Sequence, residues 1–62
     1  MNFIDERLNP ADVETVKADL EKNGVKFYSM RSGNNCVWVS YGRVECYYIL
    51  DQNHKIRDIQ VD

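Results

Sequence analysis

Proline occurs once in these 62 residues, glycine three times, histidine once and cysteine twice. So little proline and glycine excludes collagen-like and low-complexity chains, and leaves Pro10, Gly24, Gly33 and Gly42 as punctuation between regular elements. His54, Cys36 and Cys46 lack the spacing of a zinc knuckle or a redox C-x-x-C pair, so the cysteines read as small apolar residues kept as thiols. No charge of one sign dominates: 8 Lys+Arg stand against 10 Asp+Glu, a net charge of −2. A dense basic stripe of the kind that binds double-stranded nucleic acid is therefore not expected.

Also missing is any apolar run near the roughly 20 residues that cross a bilayer. Met1-Asn2-Phe3-Ile4-Asp5-Glu6 carries acids where a secretory leader would start basic. The expectation is a cytoplasmic protein with no membrane partner. There is no glycine-rich phosphate loop and no H-x-x-x-H. Asp51-Gln52-Asn53 begins like a calcium loop but lacks its glycine and distant glutamate, so it reads as a turn.

What remains is an ordinary globular composition, 44% hydrophobic with one Trp, four Tyr and two Phe. Residues 1–62 form one domain at most. At this size the gain from burying apolar surface and the cost of ordering the chain nearly cancel, which makes a partner subunit an inexpensive supplement to the core.

A helix is predicted over 10–22. Asn9 suits the N-cap, Pro10 the first turn, Asp12 the third helical position of a capping box, and Asn23-Gly24 the left-handed stop. Val13, Val16 and Leu20 make a narrow apolar stripe. Beyond Gly24 the period changes to two and Val, Ile, Tyr, Phe and Trp dominate, predicting strands over 25–31, 36–41, 44–50 and 56–61. The links 32–35, 42–43 and 51–54 are short enough to allow only antiparallel neighbours. The expected fold is α+β, one N-terminal helix packed on a four-stranded antiparallel β-meander, with residues 1–8 as an N-terminal arm. Phe3, Ile4 and Leu8 leave that arm open between a short helical turn and an extended segment at a sheet edge.

With Gly42-Arg43 as the loop, Tyr41 faces Val44, Val39 faces Cys46 and Val37 faces Tyr48 on one side of the sheet. Trp38 beside Tyr47, Cys36 beside Ile49 and Ser40 beside Glu45 then occupy the other. Continuing across the last turn sets Cys46 beside Ile59 and Val44 beside Val61 on the first side, with Ile56 beside Ile49 on the second. The first strand adds either Tyr28 and Met30 or Val25 and Phe27 to that second side. One helix covers only one side of an antiparallel sheet, and the other is normally polar. Here it holds Trp38, Tyr47, Ile49, Ile56 and, in one register, Tyr28 and Met30. Such a patch marks an interaction site unless the arm folds over it.

Catalytic apparatus is scarce. His54 is expected in a solvated turn, with both cysteines mid-strand and away from it. Glu45 and Asp58 read as surface charges for Arg43 or Arg57. No catalytic, metal, cofactor or small-molecule site is expected. The reading is a small non-enzymatic protein-binding module whose sheet face contacts a protein partner or a second copy in a homodimer. Short cytoplasmic α+β proteins of this kind are often phage or mobile-element products that inhibit or modulate a host protein. Single-stranded nucleic acid stacking on the aromatics, flanked by Lys26, Arg31, Arg43 and Arg57, is the alternative reading, and a structural subunit of a larger assembly is another.

Overall fold

In the computed structural model, which describes residues 2–61, the helix α1 spans Pro10–Lys22. Asn9 caps it as its short acceptor side chain allows, Oδ1 taking the Ala11 N–H at 2.9 Å. At the other end Gly24 adopts φ +69°. The Val25 N–H returns to the Leu20 carbonyl and the Gly24 N–H to that of Glu21, the paired bonds of a Schellman stop. Val16 and Leu20 are buried and Val13 packs beside them, so the three-residue stripe is the face that docks.

The sheet has five strands, β1 Phe3–Ile4, β2 Ser29–Ser32, β3 Val37–Tyr41, β4 Val44–Leu50 and β5 Ile56–Val61, in the order β1-β2-β3-β4-β5. The α+β class holds, but the four-stranded antiparallel meander is corrected to a mixed sheet, because β1 joins the edge parallel to β2. The arm is thus the extended one of its two readings. Its Phe3 N–H donates to the Tyr28 carbonyl and its Asp5 N–H to that of Met30. A helix inserted between two strands carries the chain back to the end where it started, so the flanking strands run parallel. Two residues are too few for a period, which is why the sequence pattern carries no sign of β1.

The first predicted strand is also shortened, from 25–31 to Ser29–Ser32. Phe27 and Met30 are both buried in the core, so strict alternation fails between them. Residues 25–28 descend from the helix to the sheet. The core comprises Val16, Leu20, Phe27, Met30, Val37, Val39, Cys46 and Tyr48, with Ile56 as the sole β5 residue packed against it.

The register of β3 on β4 is as expected, Trp38 facing Tyr47 and Val39 facing Cys46. That of β5 moves by two: Cys46 faces Val61 and Tyr48 faces Ile59. A shift of two keeps each side chain on its side of the sheet. A bulge at Ile49/Leu50 then sets Ile56 against Leu50, and this extra single step turns Ile56 to the helix side. The cause lies in the turn. Asp51 Oδ1 takes the N–H groups of Asn53 and Lys55, and His54 adopts φ +62°. This lengthens the connection beyond a plain four-residue type I turn.

Polar clamps fasten the periphery. Asp5, only 7% exposed, accepts the Arg7 N–H and guanidinium and the Ser32 N–H. The Arg7 side chain, followed by its backbone N–H, holds the Asp5 carboxyl far below the usual carboxylate range. Tyr48 donates its hydroxyl to Asp19 Oδ2 at 2.8 Å across the helix–sheet interface, and burial, followed by that bond, raises its pKa well above the usual tyrosine value.

The Asp5 shift sets the sign of an acid dependence. A carboxyl depressed in the folded state stabilises above its unfolded value, near 4, and that stability is lost as pH falls through the folded value. Asp5→Asn should lower the thermal midpoint at pH 7 and flatten the loss of stability below pH 4. Equal acid slopes in variant and wild type would show that Asp5 is not the linked group. At Tyr48 the neutral form is the favoured one, so stability is present below about pH 10 and declines above it. Tyr48→Phe should cost about 1 kcal/mol at neutral pH and make the alkaline limb shallower in a denaturant series. Retention of the full alkaline slope would rule out the Asp19 bond as its source.

Candidate protein-binding face

Because Val37, Val39, Cys46 and Tyr48 turn toward α1, the intervening residues turn away from it. The register lines them up in rows across the strands. Arg31 lies opposite Trp38, Trp38 opposite Tyr47 and Tyr47 opposite Gln60. At the far end of this row the Arg31 guanidinium carbon stands 5.9 Å from the centroid of the Phe3 ring, within cation–π reach. On one flank is a polar row of Ser29, Ser40 and Glu45. On the other, Ile49 faces Asp58.

Trp38 is the centre of this arrangement. Its ring centroid is 4.1 Å from that of Tyr47, with the planes tilted by 54°, a close aromatic pair of the kind that adds to simple area burial. The indole is still 37% exposed. Its seat is Gly33: a β-carbon there would overlap the indole Cδ1 and Nε1 and come within 2.8 Å of Cys36 Sγ. The loop glycine is therefore required by close approach of a side chain. A depression of about 390 Å³ beside the indole is lined by Arg31, Ser32, Trp38, Ser40 and Glu45.

Of the residues expected on this face, Trp38, Tyr47 and Ile49 are there. Met30 is not: it is fully buried under the helix, because its register partner is Val39 on the core side. Ile56 is not either, having been turned to the helix side by the bulge. Tyr28 is 63% exposed at the entry to β2, outside the ordered rows. Sequence reasoning missed Phe3, 56% exposed, for want of β1, and it missed Arg31 as a member of the aromatic row. Once Met30 is placed inside, simple alternation turns Arg31 outward. The arm does not cover the indole, since β1 extends the sheet at the β2 edge and Leu8 packs against the core.

A second concavity, about 360 Å³, opens at the end of the sheet among Arg7, Asn9, Asp12, Cys36, Asp51 and His54. Here the expectation of a merely solvated His54 is corrected. His54 Nδ1 lies 2.7 Å from Asp12 Oδ1, and its carbonyl accepts the Thr15 hydroxyl at 2.7 Å. The histidine thus fastens the β4–β5 turn to α1. Cys36 precedes β3 and lines the same cleft, rather than lying mid-strand away from His54. Asp12, Asp51 and Asn9 are engaged in internal bonds. The Cys46 thiol is buried, which raises its pKa and keeps it protonated. Among the described residues no group of three His, Cys, Asp or Glu could hold a metal ion, and no helix is long and apolar enough to cross a membrane.

Comparison with protein-family models, curated proteins and solved structures finds no match to this chain.

The seat of Trp38 is directly testable. Gly33→Ala should cost about 1–3 kcal/mol through overpacking and alter the near-ultraviolet circular dichroism of the Trp38–Tyr47 pair. The far-ultraviolet spectrum should be retained. An unchanged aromatic band would show that the indole does not rest on Gly33.

Proposed function

We propose that this protein is a non-enzymatic binding module that captures another protein through the helix-free side of its sheet, and so blocks or modulates that protein. The carrying observation is the Trp38–Tyr47 pair, seated on Gly33 and left open to solvent at the middle of a sheet that, among the described residues, no other element covers on that side. Trp, Tyr and Arg are the residue types in which binding energy concentrates, and here all three stand in one cross-strand row. A pre-seated aromatic pair loses little side-chain freedom on association, which favours affinity from a small surface. Ser29, Ser40, Glu45 and Asp58 flank the row as a polar rim that would set orientation. A chain this small acts most simply by occupying a surface, and a cytoplasmic setting suits its free thiols.

One observation favours a second reading. Arg31 within the aromatic row offers a charge for a phosphate beside faces on which bases stack, as in single-strand binders. Net charge of −2 opposes it.

A photo-cross-linker placed at Ser40 should attach to a protein that, once purified, binds the wild-type chain in isolation. Trp38→Ala and Tyr47→Ala should each weaken that complex by about 30-fold or more, the level of a hot spot, with far-ultraviolet circular dichroism intact. Binding indifferent to both substitutions would overturn the reading. Binding to an oligothymidylate that falls steeply with salt would replace it by the nucleic-acid one.

A further inference from the structure

The two edges of the sheet differ. β1 offers two residues, whereas β5 runs for six, Ile56–Val61. Which of its backbone groups face outward follows from the Gly42-Arg43 hairpin. A two-residue loop makes Tyr41 and Val44 a hydrogen-bonded pair, so Val44, Cys46 and Tyr48 bond to β3, and Tyr47 and Ile49 bond to β5. Their opposites Gln60 and Asp58 therefore bond inward, and Ile59 and Val61 turn their N–H and C=O groups outward. An independent contact agrees: the exposed Ile59 N–H is taken by the carboxylate Oδ1 of its own neighbour Asp58 at 2.8 Å. The other oxygen of Asp58 holds Gln60 Nε2 at 3.4 Å.

The side chains of the same two residues are apolar and uncovered. Ile59 is 42% and Val61 65% exposed, on the helix side of the sheet but beyond the core that α1 shelters. Outward backbone groups beside exposed aliphatic side chains are the combination that edge strands ordinarily avoid.

We infer that β5 pairs antiparallel with β5 of a second copy of this chain about a two-fold axis at Ile59, with Asp58 as the cap that must release the Ile59 N–H. Polar complementarity selects this register. Centring on Asp58 would set acid against acid, whereas centring on Ile59 sets Asp58 opposite Gln60 of the second copy and exchanges an existing contact for its intermolecular equivalent. Each Ile59 N–H donates to the other Ile59 carbonyl. The axis is perpendicular to the sheet, so Ile59 of both copies meet on the helix side between the two helices, with each Val61 opposite Arg57 of the second copy. Both Trp38 faces then lie together on the opposite side of a ten-stranded sheet. Five strand spacings separate the two indoles, about 24 Å, making a two-site platform for a symmetric or repetitive partner. The pairing itself does not depend on the open face having a partner.

Sedimentation of the full chain from micromolar to millimolar concentration tests it, with hydrogen exchange read at both ends of the range. Expected is a monomer–dimer equilibrium in which the Ile59 and Val61 amides slow with concentration, while Asp58 and Gln60, already bonded to β4, do not change. Ile59→Lys should be folded and monomeric. Asp58→Ala, which frees the Ile59 N–H of both copies, should tighten the dimer by about 25-fold, the worth of two competing hydrogen bonds, one in each copy. Asp58→Asn, which removes the charge and keeps an acceptor, should tighten it less. Trp38→Ala should leave association unchanged. A chain that stays monomeric even as Asp58→Ala overturns the inference, as does a dimer that Trp38→Ala dissociates. The first of these results leaves the heterologous binding assigned to the open face to the cross-linking experiment, while the second would give that face to a second copy.

Discussion

One short helix has to shelter a sheet wider than itself. Thirteen residues make a rod about 20 Å long and 10 Å across, while strands repeat at roughly 4.8 Å, so the rod shades two or three strands on one side and none on the other. The core obeys this limit. Val16 and Leu20 share the core with side chains from β2, β3 and β4, and from β5 the partly buried Ile56 packs against that cluster. The open aromatic row and the bare Ile59 and Val61 are two consequences of that mismatch, one across the sheet and one along it.

The polar bonds compensate where the apolar contact thins out. Asp5 binds the strand-to-helix corner to Ser32, Asp12 and Thr15 fasten the β4–β5 turn through His54, and Asp19 holds Tyr48. Each lies at the margin of the core and joins elements distant in sequence. In a domain whose burial and ordering terms nearly balance, such bonds decide how firmly the helix is pinned to the sheet.

The two surfaces are separable in their chemistry. The face around Trp38 and Tyr47 presents rings and a guanidinium held in place by cross-strand neighbours and by the bare backbone of Gly33. The β5 edge presents main-chain groups, one of them capped by Asp58. The proposed self-pairing along the edge would leave the aromatic face uncovered and double it, so that one assembly step would raise the valency of the other.

Local chemistry alone specified the helix and its ends, because Asn9, Pro10, Asn23 and Gly24 act through their own dihedral and hydrogen-bonding preferences. It specified the β3–β4 hairpin for the same reason: a two-residue turn leaves one register, and with it Trp38 beside Tyr47. What tertiary structure decided was everything needing partners far apart. β1 exists because the helix returns the chain beside β2. Met30 goes inside because Val39 is its neighbour. The bulge and the left-handed His54 rotate Ile56 to the core, a change no periodicity shows. His54 itself was placed by Asp12, 42 positions away, and Gly33 by an indole rather than by its own turn. Alternation records which residues share a side; the side that the helix covers is settled only when the strands are laid down.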